Sequence, residues 1–276
     1  MNKMGNRIIL LGGLLLLGSA LFAQFKPEEI AQDKHWEEFL ATAEMSTIRQ
    51  MVGADSVTNP YEMLLQKDGE KRRAIWKNEE GRMQGYLENW MWEIAAYRLD
   101  RYLGLNMVPV TIERRRDEVR GSLELWAEDV FPYRDVLEGR VKVPEGLQGV
   151  RINLEVYLQR AFDNLICNED RNAKHILITK DWRLILIDHS RTFRTKGRYY
   201  NILIFNEKSD KWKGTMSALP AAFVEKLKSL TPEILHQIED AYLTDKEIAA
   251  VMFRRDLILK EIDRLIEKNG KNAVIY

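Results

Sequence analysis

Two aspartates, Asp170 and Asp188, lie on either side of a short apolar hairpin, each just beyond an apolar run. A carboxylate at the end of a buried strand is unfavourable unless a cation, a hydrogen-bond donor or a metal ion meets it. Such a pair could serve phosphoryl transfer, with one carboxylate accepting a proton and the other binding a metal ion. Alternatively, Asp170 caps a turn and Asp188 forms an ion pair with Arg191 or Arg194.

A helix and two strands must position these aspartates. Apolar residues recur at helical spacing over 152–166 and define one buried face: Leu154, Leu158, Ala161, Phe162 and Leu165. The helix ends in the polar stretch 168–172. Two apolar runs follow, 175–179 and 182–187, and the two polar residues between them predict a tight hairpin turn.

Length and charge limit the classes of protein to which the chain can belong. At 276 residues with 45% hydrophobic content, it can bury a substantial core and fits one two-lobed domain or two small ones. The 42 lysines and arginines balance the 42 aspartates and glutamates, so no overall field favours nucleic acid or a membrane surface. We therefore expect no nucleic-acid partner, and we expect a monomer.

The N-terminus has the pattern of a secretory signal peptide over residues 1–23. Lys3 and Arg7 precede an apolar stretch that ends in a small residue, Ala23, before the polar Gln24. A positive segment, a short apolar core and a small residue at the cleavage site are typical of such a peptide. The pattern predicts cleavage near Ala23 and export to the periplasm or the cell exterior. The alternative is an uncleaved N-terminal membrane anchor, because the apolar run is close to the length of a span.

Cys167 is the only cysteine in the sequence, so no internal disulfide can form. It lies at the end of the apolar helix face, which favours a buried packing role over a reactive one. A structural zinc site made of cysteines is excluded.

The chain divides at about residue 130 into two parts, 24–130 and 131–276. A helix over 28–43 opens the first part. Three strands follow it and form a predicted antiparallel meander: 45–52, 61–66 and 71–77. The Asp68-Gly69 pair is typical of a hairpin turn between the second and third of these strands.

A second helix and two further strands complete the first part. The helix has one apolar face, formed by Trp92, Ala95, Ala96, Leu99 and Leu103. Gly104 ends it, and Glu93 lies at the edge of its apolar face. Strands over 107–113 and 121–126 would bring the sheet to five strands.

The second part of the chain is mainly helical. Thr231 precedes Pro232, a pair typical of a helix start. Thr244 and Glu247 have the spacing of a capping box, and the helix that they open is predicted to run to about Asn269.

Six segments occur in a specific order and spacing: VGADSVTNP (52–60), AIWK (74–77), WEIAAYRLDRYLGLNMVP (92–109), GSLELW (121–126), FDNLICNEDRNAKH (162–175) and LILIDHSRTFR (184–194). Together they resemble bacterial phosphatidylinositol 3- and 4-kinase-like proteins of the protein-kinase-like superfamily, and more distantly the HipA family and secretory-pathway kinases. The resemblance covers nearly all of 35–265. It implies an α+β, two-lobed protein-kinase-like fold, with an antiparallel sheet and one helix in the N-lobe (24–130) and a mainly helical C-lobe (131–276).

The resemblance implies a nucleotide-phosphate site in the N-lobe. Lys77 matches the lysine that contacts the phosphates, and Glu93 matches the helix glutamate that pairs with it. Gly53, Ser56 and Thr58 belong to the loop expected over the phosphates, where N–H groups and hydroxyls would replace water around the anion. This loop has one glycine and so departs from a Gly-x-Gly-x-x-Gly pattern.

The resemblance also implies the base-binding and catalytic residues. Glu124 and Trp126 lie where such folds pass between lobes, and backbone groups there would hydrogen-bond adenine. Asp170 matches the catalytic aspartate, which orients the acceptor hydroxyl and accepts its proton. Asp188 matches the metal-binding aspartate. The implied ligands are ATP with Mg²⁺ or Mn²⁺ and a hydroxyl-bearing acceptor, which could be a protein, a lipid or a small molecule.

His175 departs from the family pattern. Five residues after the catalytic aspartate, these folds usually have an asparagine that binds the second metal ion. Imidazole suits Mn²⁺ or Zn²⁺ better than Mg²⁺, so the site could use manganese, one metal ion or none. After Asp188, His189 and Ser190 also replace the usual Phe-Gly.

Two functions are therefore expected. The first is an exported ATP-dependent phosphotransferase that transfers a phosphoryl group to a hydroxyl acceptor. The alternative is a catalytically inactive pseudokinase that acts as a nucleotide-binding or scaffold module. His175 and export to a compartment poor in ATP favour the alternative, whereas Lys77, Glu93, Asp170 and Asp188 in register favour the enzyme.

Overall fold

A computed structural model of the chain describes residues 27–52, 58–200, 202–207, 214–239 and 241–276. The predicted signal peptide lies outside these ranges, as do Gly53 and Ser56 of the predicted phosphate loop. None of the helices in the described part of the chain is both long enough and apolar enough to cross a membrane.

The described residues form an α+β fold. Its strands are β1 (Glu44–Gln50), β2 (Tyr61–Lys67), β3 (Glu70–Lys77), β4 (Glu80–Met83), β5 (Tyr86–Asn89), β6 (Thr111–Arg116), β7 (Val119–Leu125), β8 (Val130–Pro132), β9 (Ile176–Thr179) and β10 (Leu184–Leu186). Its α-helices are α1 (Pro27–Ile30), α2 (Asp33–Thr42), α3 (Met91–Leu103), α4 (Tyr133–Leu137), α5 (Leu147–Ile166), α6 (Ala221–Ser229), α7 (Pro232–Glu239), α8 (Asp245–Asn269) and α9 (Lys271–Val274).

A five-stranded antiparallel sheet with strand order β1-β2-β3-β7-β6 forms the first half of the fold. The predicted meander of β1, β2 and β3 is confirmed. Between β2 and β3, Asp68 and Gly69 have φ values of 51° and 83°. Both residues are left-handed, which is the backbone that a two-residue hairpin turn requires.

A second hairpin, β4–β5, is inserted between β3 and α3. Its two strands pair with each other and with no other strand in the described part of the chain. Nothing in the apolar pattern predicts it. Its one sequence signal is Gln84-Gly85, which forms the turn with φ values of 48° and 87°. This hairpin matters for the site, because it lies between Lys77 and Glu93 in the chain.

Two predicted elements of the first half depart most from the structure, whereas the other bounds differ by one or two residues. The helix predicted over 28–43 is broken into α1 and α2 by a four-residue turn, in which the Gln32 N–H donates to the Glu29 carbonyl. The strand predicted over 107–113 begins only at Thr111. Before it, the Met107 N–H donates to the buried Asp100 carboxylate, and the Met107 carbonyl accepts from Leu186. This segment therefore joins α3 to β10 instead of pairing in the sheet.

The second half of the fold is mainly helical, as predicted, but it also contains a three-stranded sheet. The predicted hairpin of β9 and β10 is present, and β8, which the sequence pattern does not predict, adds to its edge. Helix α5 begins five residues earlier than predicted and ends at Cys167, which is left-handed with φ 53°. The predicted capping box of Thr244 and Glu247 opens α8 and is confirmed.

One continuous cluster of buried apolar side chains joins the two halves. It includes Leu40 and Leu99 from the first half and Phe162 and Ile258 from the second. Since these side chains are almost fully removed from water, the two halves stabilise each other by hydrophobic burial.

Gly121 of β7 allows the close approach that sets the position of Lys77. A Cβ at Gly121 would lie 2.7 Å from the Trp76 ring and closer still to the Lys77 carbonyl oxygen. We expect Gly121→Ala to lower the free energy of unfolding by about 1–3 kcal/mol, since the packed core must shift to admit the methyl group. Denaturant unfolding measures this. Gly149→Ala, in helix α5, is the control and should change it by no more than about 1 kcal/mol.

Cys167 is buried, as predicted, and burial raises the pKa of its thiol to about 11. Because the thiolate is the reactive form, Cys167 in the native protein should resist alkylation by iodoacetamide at about pH 8. After unfolding, one equivalent should react. Rapid alkylation of the native protein would contradict the burial of this side chain.

Candidate functional site

A cleft of about 590 Å³ lies between the five-stranded sheet and the β9–β10 hairpin. Its lining includes most of the predicted site residues: Thr58, Lys77, Glu124, Trp126, Asp170, His175 and Asp188. Glu93 lies directly behind Lys77 and is buried. The fold therefore brings together every predicted site residue that the structure describes.

Lys77, at the end of β3, is held between two carboxylates. Its Nζ lies 2.6 Å from Glu93 Oε1 and 2.8 Å from Asp188 Oδ1. Burial lowers the pKa of Lys77, but the charges of Asp188 and Glu93 outweigh this effect and hold the pKa well above its ordinary value. The predicted ion pair with Glu93 is present, and the ammonium stays charged.

Glu93 uses its second oxygen to anchor the segment after Asp188. Glu93 Oε2 accepts a hydrogen bond of 2.8 Å from the backbone N–H of His189. Burial raises the pKa of Glu93, but the charge of Lys77 and then the His189 side chain outweigh burial and lower it below its ordinary value. One buried carboxylate thus connects α3 to β3 and to the end of the β10 segment.

Asp188 has a left-handed backbone, with φ 62°, two residues after the end of β10. This conformation is costly for a non-glycine residue and persists only where the surroundings hold it. Besides Lys77, the Asp188 carboxylate contacts His175, whose Nε2 lies 3.2 Å from Oδ2. Burial raises the pKa of Asp188, but Lys77 and then His175 outweigh burial and hold it below its ordinary value.

The alternative, in which Asp188 pairs with Arg191 or Arg194, is wrong. Arg191 contacts Glu88 and Asp170, and Arg194 contacts Glu169. Lys77 reaches Asp188 from β3 because the five-stranded sheet lies over the hairpin, a long-range contact that local sequence does not reveal.

Asp170 lies in a turn that another residue caps. The side chain of Asn168 accepts from the Asp170 N–H at 3.1 Å, so the expected capping role belongs to Asn168. The Asp170 carboxylate points to the cleft, with its side chain 37% exposed, and its Oδ2 lies 3.2 Å from Arg191 Nη1. A carboxylate that is both held and exposed could accept a proton from a bound hydroxyl group.

Arg171, adjacent to Asp170, is a buried connector that sequence reasoning missed. Its guanidinium donates to the carbonyls of His175 and Ile187, at 2.8 and 2.7 Å, and to the buried carboxylate of Asp163. It also lies 2.9 Å from His189 Nε2, which must be the acceptor because an arginine can only donate. Burial lowers the pKa of His189, consistent with a neutral ring. The polar character of 168–172 was the only signal of this role.

Glu124 of β7 faces the same charge cluster. One of its carboxylate oxygens lies within 4.8 Å of a Glu93 oxygen. Burial, and next the charge of Glu93, raise the pKa of Glu124 well above its ordinary value. The Glu124 side chain is therefore a third carboxylate near Lys77, together with Glu93 and Asp188. The adenine contact was expected from its backbone, which is a different role.

Trp126 lines the cleft, but its backbone N–H is not available to adenine. This N–H donates to the Arg73 carbonyl at 3.1 Å, because pairing between β7 and β3 extends one residue beyond Leu125. The Arg73 guanidinium also stacks on the Trp126 ring at 4.5 Å. Of the backbone groups expected to contact adenine here, the Trp126 N–H is therefore already engaged.

Glu88 is a further cleft residue that the sequence pattern does not indicate, and Arg191, expected as a partner of Asp188, lines the cleft with other partners. Glu88 lies on the β4–β5 hairpin and is fully buried, with Ser190 Oγ 2.7 Å away and Arg191 Nε in contact. Asn172 lies beside His175, with its Nδ2 3.2 Å from the ring nitrogens.

Comparison with known proteins gives no family assignment and a partial similarity to one curated protein. No family model matches the chain. The chain is 27% identical over 156 residues to Protein Rv2133c of Mycobacterium tuberculosis. The match covers 48% of this chain and 54% of that protein, so the chain spans about half the length of the curated relative it matches.

The raised pKa of Glu124 predicts a pH-dependent stability difference. An acid whose pKa is raised on folding contributes stability below its unfolded pKa, and this contribution is lost as pH rises through the folded pKa. Glutamine does not titrate, so it does not lose this contribution as the pH rises. Glu124→Gln should therefore melt at the same temperature as the original protein at about pH 4 and at a higher temperature at about pH 8. Scanning calorimetry at both values measures this. Glu118→Gln, on an exposed turn, should show no such difference; an equal melting temperature for Glu124→Gln throughout would contradict the cluster.

Proposed function

We propose that the chain is an ATP-dependent phosphotransferase with a two-lobed, kinase-like fold. The observation that supports this most strongly is the shared ion pair of Lys77. Its ammonium lies between Glu93 and Asp188 at the wall of a cleft, with Asp170 at the same cleft. Phosphoryl transfer needs this set of groups: a fixed cation for the phosphates, a carboxylate for a metal ion and a carboxylate for the acceptor.

The architecture around the cleft is compatible with two lobes. The five-stranded sheet with α3 lies on one side, and the β9–β10 hairpin with α5 and α8 lies on the other. The chain passes between the two sides after β7, since β8 pairs with β9 and not with the five-stranded sheet. We infer a lobe boundary near residue 130 from this change of sheet.

The cleft has the size and lining for a nucleotide. A volume of about 590 Å³ falls within the ~300–1,000 Å³ typical of small-molecule sites. Apolar side chains from both sides line it, among them Ile75 and Ile187, and could enclose a purine ring. Thr58 lines the cleft next to the loop 53–57, which lies outside the described residues.

The residues present fit a metal ion. Asp188 Oδ2 and His175 Nε2 are 3.2 Å apart. This distance is close to the separation of about 3.0 Å between two ligands that lie at right angles, each about 2.1 Å from an octahedral ion. A nitrogen and oxygen ligand pair favours Mn²⁺ over Mg²⁺. Bound there, the ion would neutralise charge on the nucleotide phosphates. Lys77 contacts the other oxygen of Asp188, so both could be engaged at once.

The chemistry follows from these positions. Lys77 holds the phosphate oxygens, and Asp170 aligns the acceptor hydroxyl. The bond between the γ-phosphorus and the bridging oxygen breaks, and a bond from the γ-phosphorus to the acceptor oxygen forms. ADP leaves with the bridging oxygen, and the hydroxyl proton passes to Asp170.

The contacts of Asp188 also favour a second candidate function. Its two oxygens already contact Lys77 and His175, so its charge is balanced without a metal ion. A chain with this arrangement could bind a nucleotide and catalyse no transfer, as in a pseudokinase. Export, which we propose from the N-terminal pattern, would suit such a binding module.

Nucleotide binding is the first test. The purified chain titrated with ATP and Mn²⁺ or Mg²⁺ should gain about 2.7 kcal/mol of stability at a ligand concentration of 100 times Kd. Lys77→Met and Asp188→Asn should each reduce this thermal shift strongly, because they remove the phosphate cation and the metal carboxylate. Lys71→Met, an exposed lysine on the same strand, is the matched control and should leave it unchanged.

The outcomes separate the candidates. The absence of any nucleotide-dependent shift in the unsubstituted chain would contradict both the transferase and the nucleotide-binding module. A shift without release of ADP or transfer of labelled phosphate would favour the pseudokinase. A shift with transfer that Asp170→Asn abolishes is the result expected for the enzyme.

A further inference from the structure

The β4–β5 hairpin is attached to the segment that follows Asp188. The Asn89 N–H donates to the Ser190 carbonyl at 2.9 Å. Glu88, the preceding residue, accepts from Ser190 Oγ at 2.7 Å and from Arg191 Nε. One strand of the hairpin therefore holds both residues 190 and 191 by backbone and side-chain contacts.

Glu88 is a fully buried carboxylate, and its burial requires the cation that it meets. Arg191 supplies that cation, with its own side chain only 9% exposed. An arginine presents several N–H donors in a rigid plane, so one guanidinium can bridge two carboxylates. Nε serves Glu88, and the other end of the guanidinium remains for a second partner.

The second partner is Asp170. Arg191 Nη1 lies 3.2 Å from Asp170 Oδ2. The guanidinium also lies over the Tyr86 ring, 4.2 Å from its centre. The hairpin therefore contacts the guanidinium through two side chains, Glu88 and Tyr86. The buried Glu88 carboxylate and the Tyr86 ring together leave the Arg191 guanidinium little freedom to move.

We propose that Arg191 is a positioning residue for Asp170, and that the β4–β5 hairpin, through Glu88, holds Arg191 in place. This role rests on the proposed phosphotransferase function. Arg191 engages Oδ2, so Oδ1 is the oxygen that Asp170 offers to the acceptor hydroxyl.

The test separates ATP binding from turnover. Turnover is ADP release from ATP and Mn²⁺ with water as the acceptor, and binding is the ATP-dependent thermal shift of the full chain. Arg191→Met should lower kcat about 100-fold, the effect of a small misplacement of a reacting group. The ATP dissociation constant should stay within about twofold, since Arg191 acts through Asp170 and not on the nucleotide. Added to Asp170→Asn, the substitution should cause no further loss.

A second variant guards against simple misfolding. Arg191→Met leaves Glu88 buried without its cation, whereas Glu88→Met combined with Arg191→Met removes both charges and should restore stability. The double variant should remain as slow as Arg191→Met. Arg82→Met, an exposed arginine on the same hairpin, is the control and should turn over normally.

Each outcome has one meaning. ATP turnover by the stable double variant at the rate of the original chain would overturn the role of Arg191 while leaving the transferase intact. A loss of ATP binding equal to the loss of turnover would also overturn it, because Arg191 would then act on the nucleotide or on the fold. No binding or no turnover in the unsubstituted chain would overturn the transferase, and this role with it.

Discussion

The balance of charge around one lysine is the interaction on which the site depends. Lys77 is the cation between Glu93 and Asp188, and the Glu124 carboxylate lies close to Glu93. These carboxylates come from α3, from the end of the β10 segment and from β7, so three elements meet at a single ammonium. Breaking a buried ion pair by removing one partner is strongly destabilising, because the remaining charge is left without compensation. The cleft is therefore shaped by electrostatic balance as much as by apolar packing.

Two arginines extend this balance to the rest of the cleft. Arg171 is buried and bonds the carbonyls of His175 and Ile187, so it holds the chain on both sides of the β9–β10 hairpin. Arg191 bridges Glu88 and Asp170. Charge-assisted hydrogen bonds of this kind give geometric specificity in addition to energy. The two aspartates that flank the hairpin are thus held by separate arginine and lysine contacts, at positions set by different elements.

Local patterns predicted much of the fold and part of the site. The meander, helix α3 with its Gly104 end and the capping box of α8 follow from turn residues and apolar spacing, which act over a few residues. The β4–β5 hairpin escaped because its strands are short and largely exposed, so that they show no apolar alternation. The order of the six motifs singled out Lys77, Glu93, Asp170 and Asp188, which the structure places in or beside one cleft. Glu88 and Arg171 were not singled out, because each becomes meaningful only when distant segments meet. Arg191 was expected beside Asp188, but its partners are Glu88 and Asp170. The Trp126 N–H is engaged by the Arg73 carbonyl, a strand pairing that the local pattern does not indicate.

A crystal structure of the chain with a non-hydrolysable ATP analogue and Mn²⁺, recorded at the manganese absorption edge, tests the central claim most directly. We expect an anomalous peak next to Asp188 Oδ2 and His175 Nε2, with phosphate oxygens within hydrogen-bond distance of Lys77 Nζ. A nucleotide bound elsewhere, or bound in the cleft with its phosphates away from Lys77, would contradict the account.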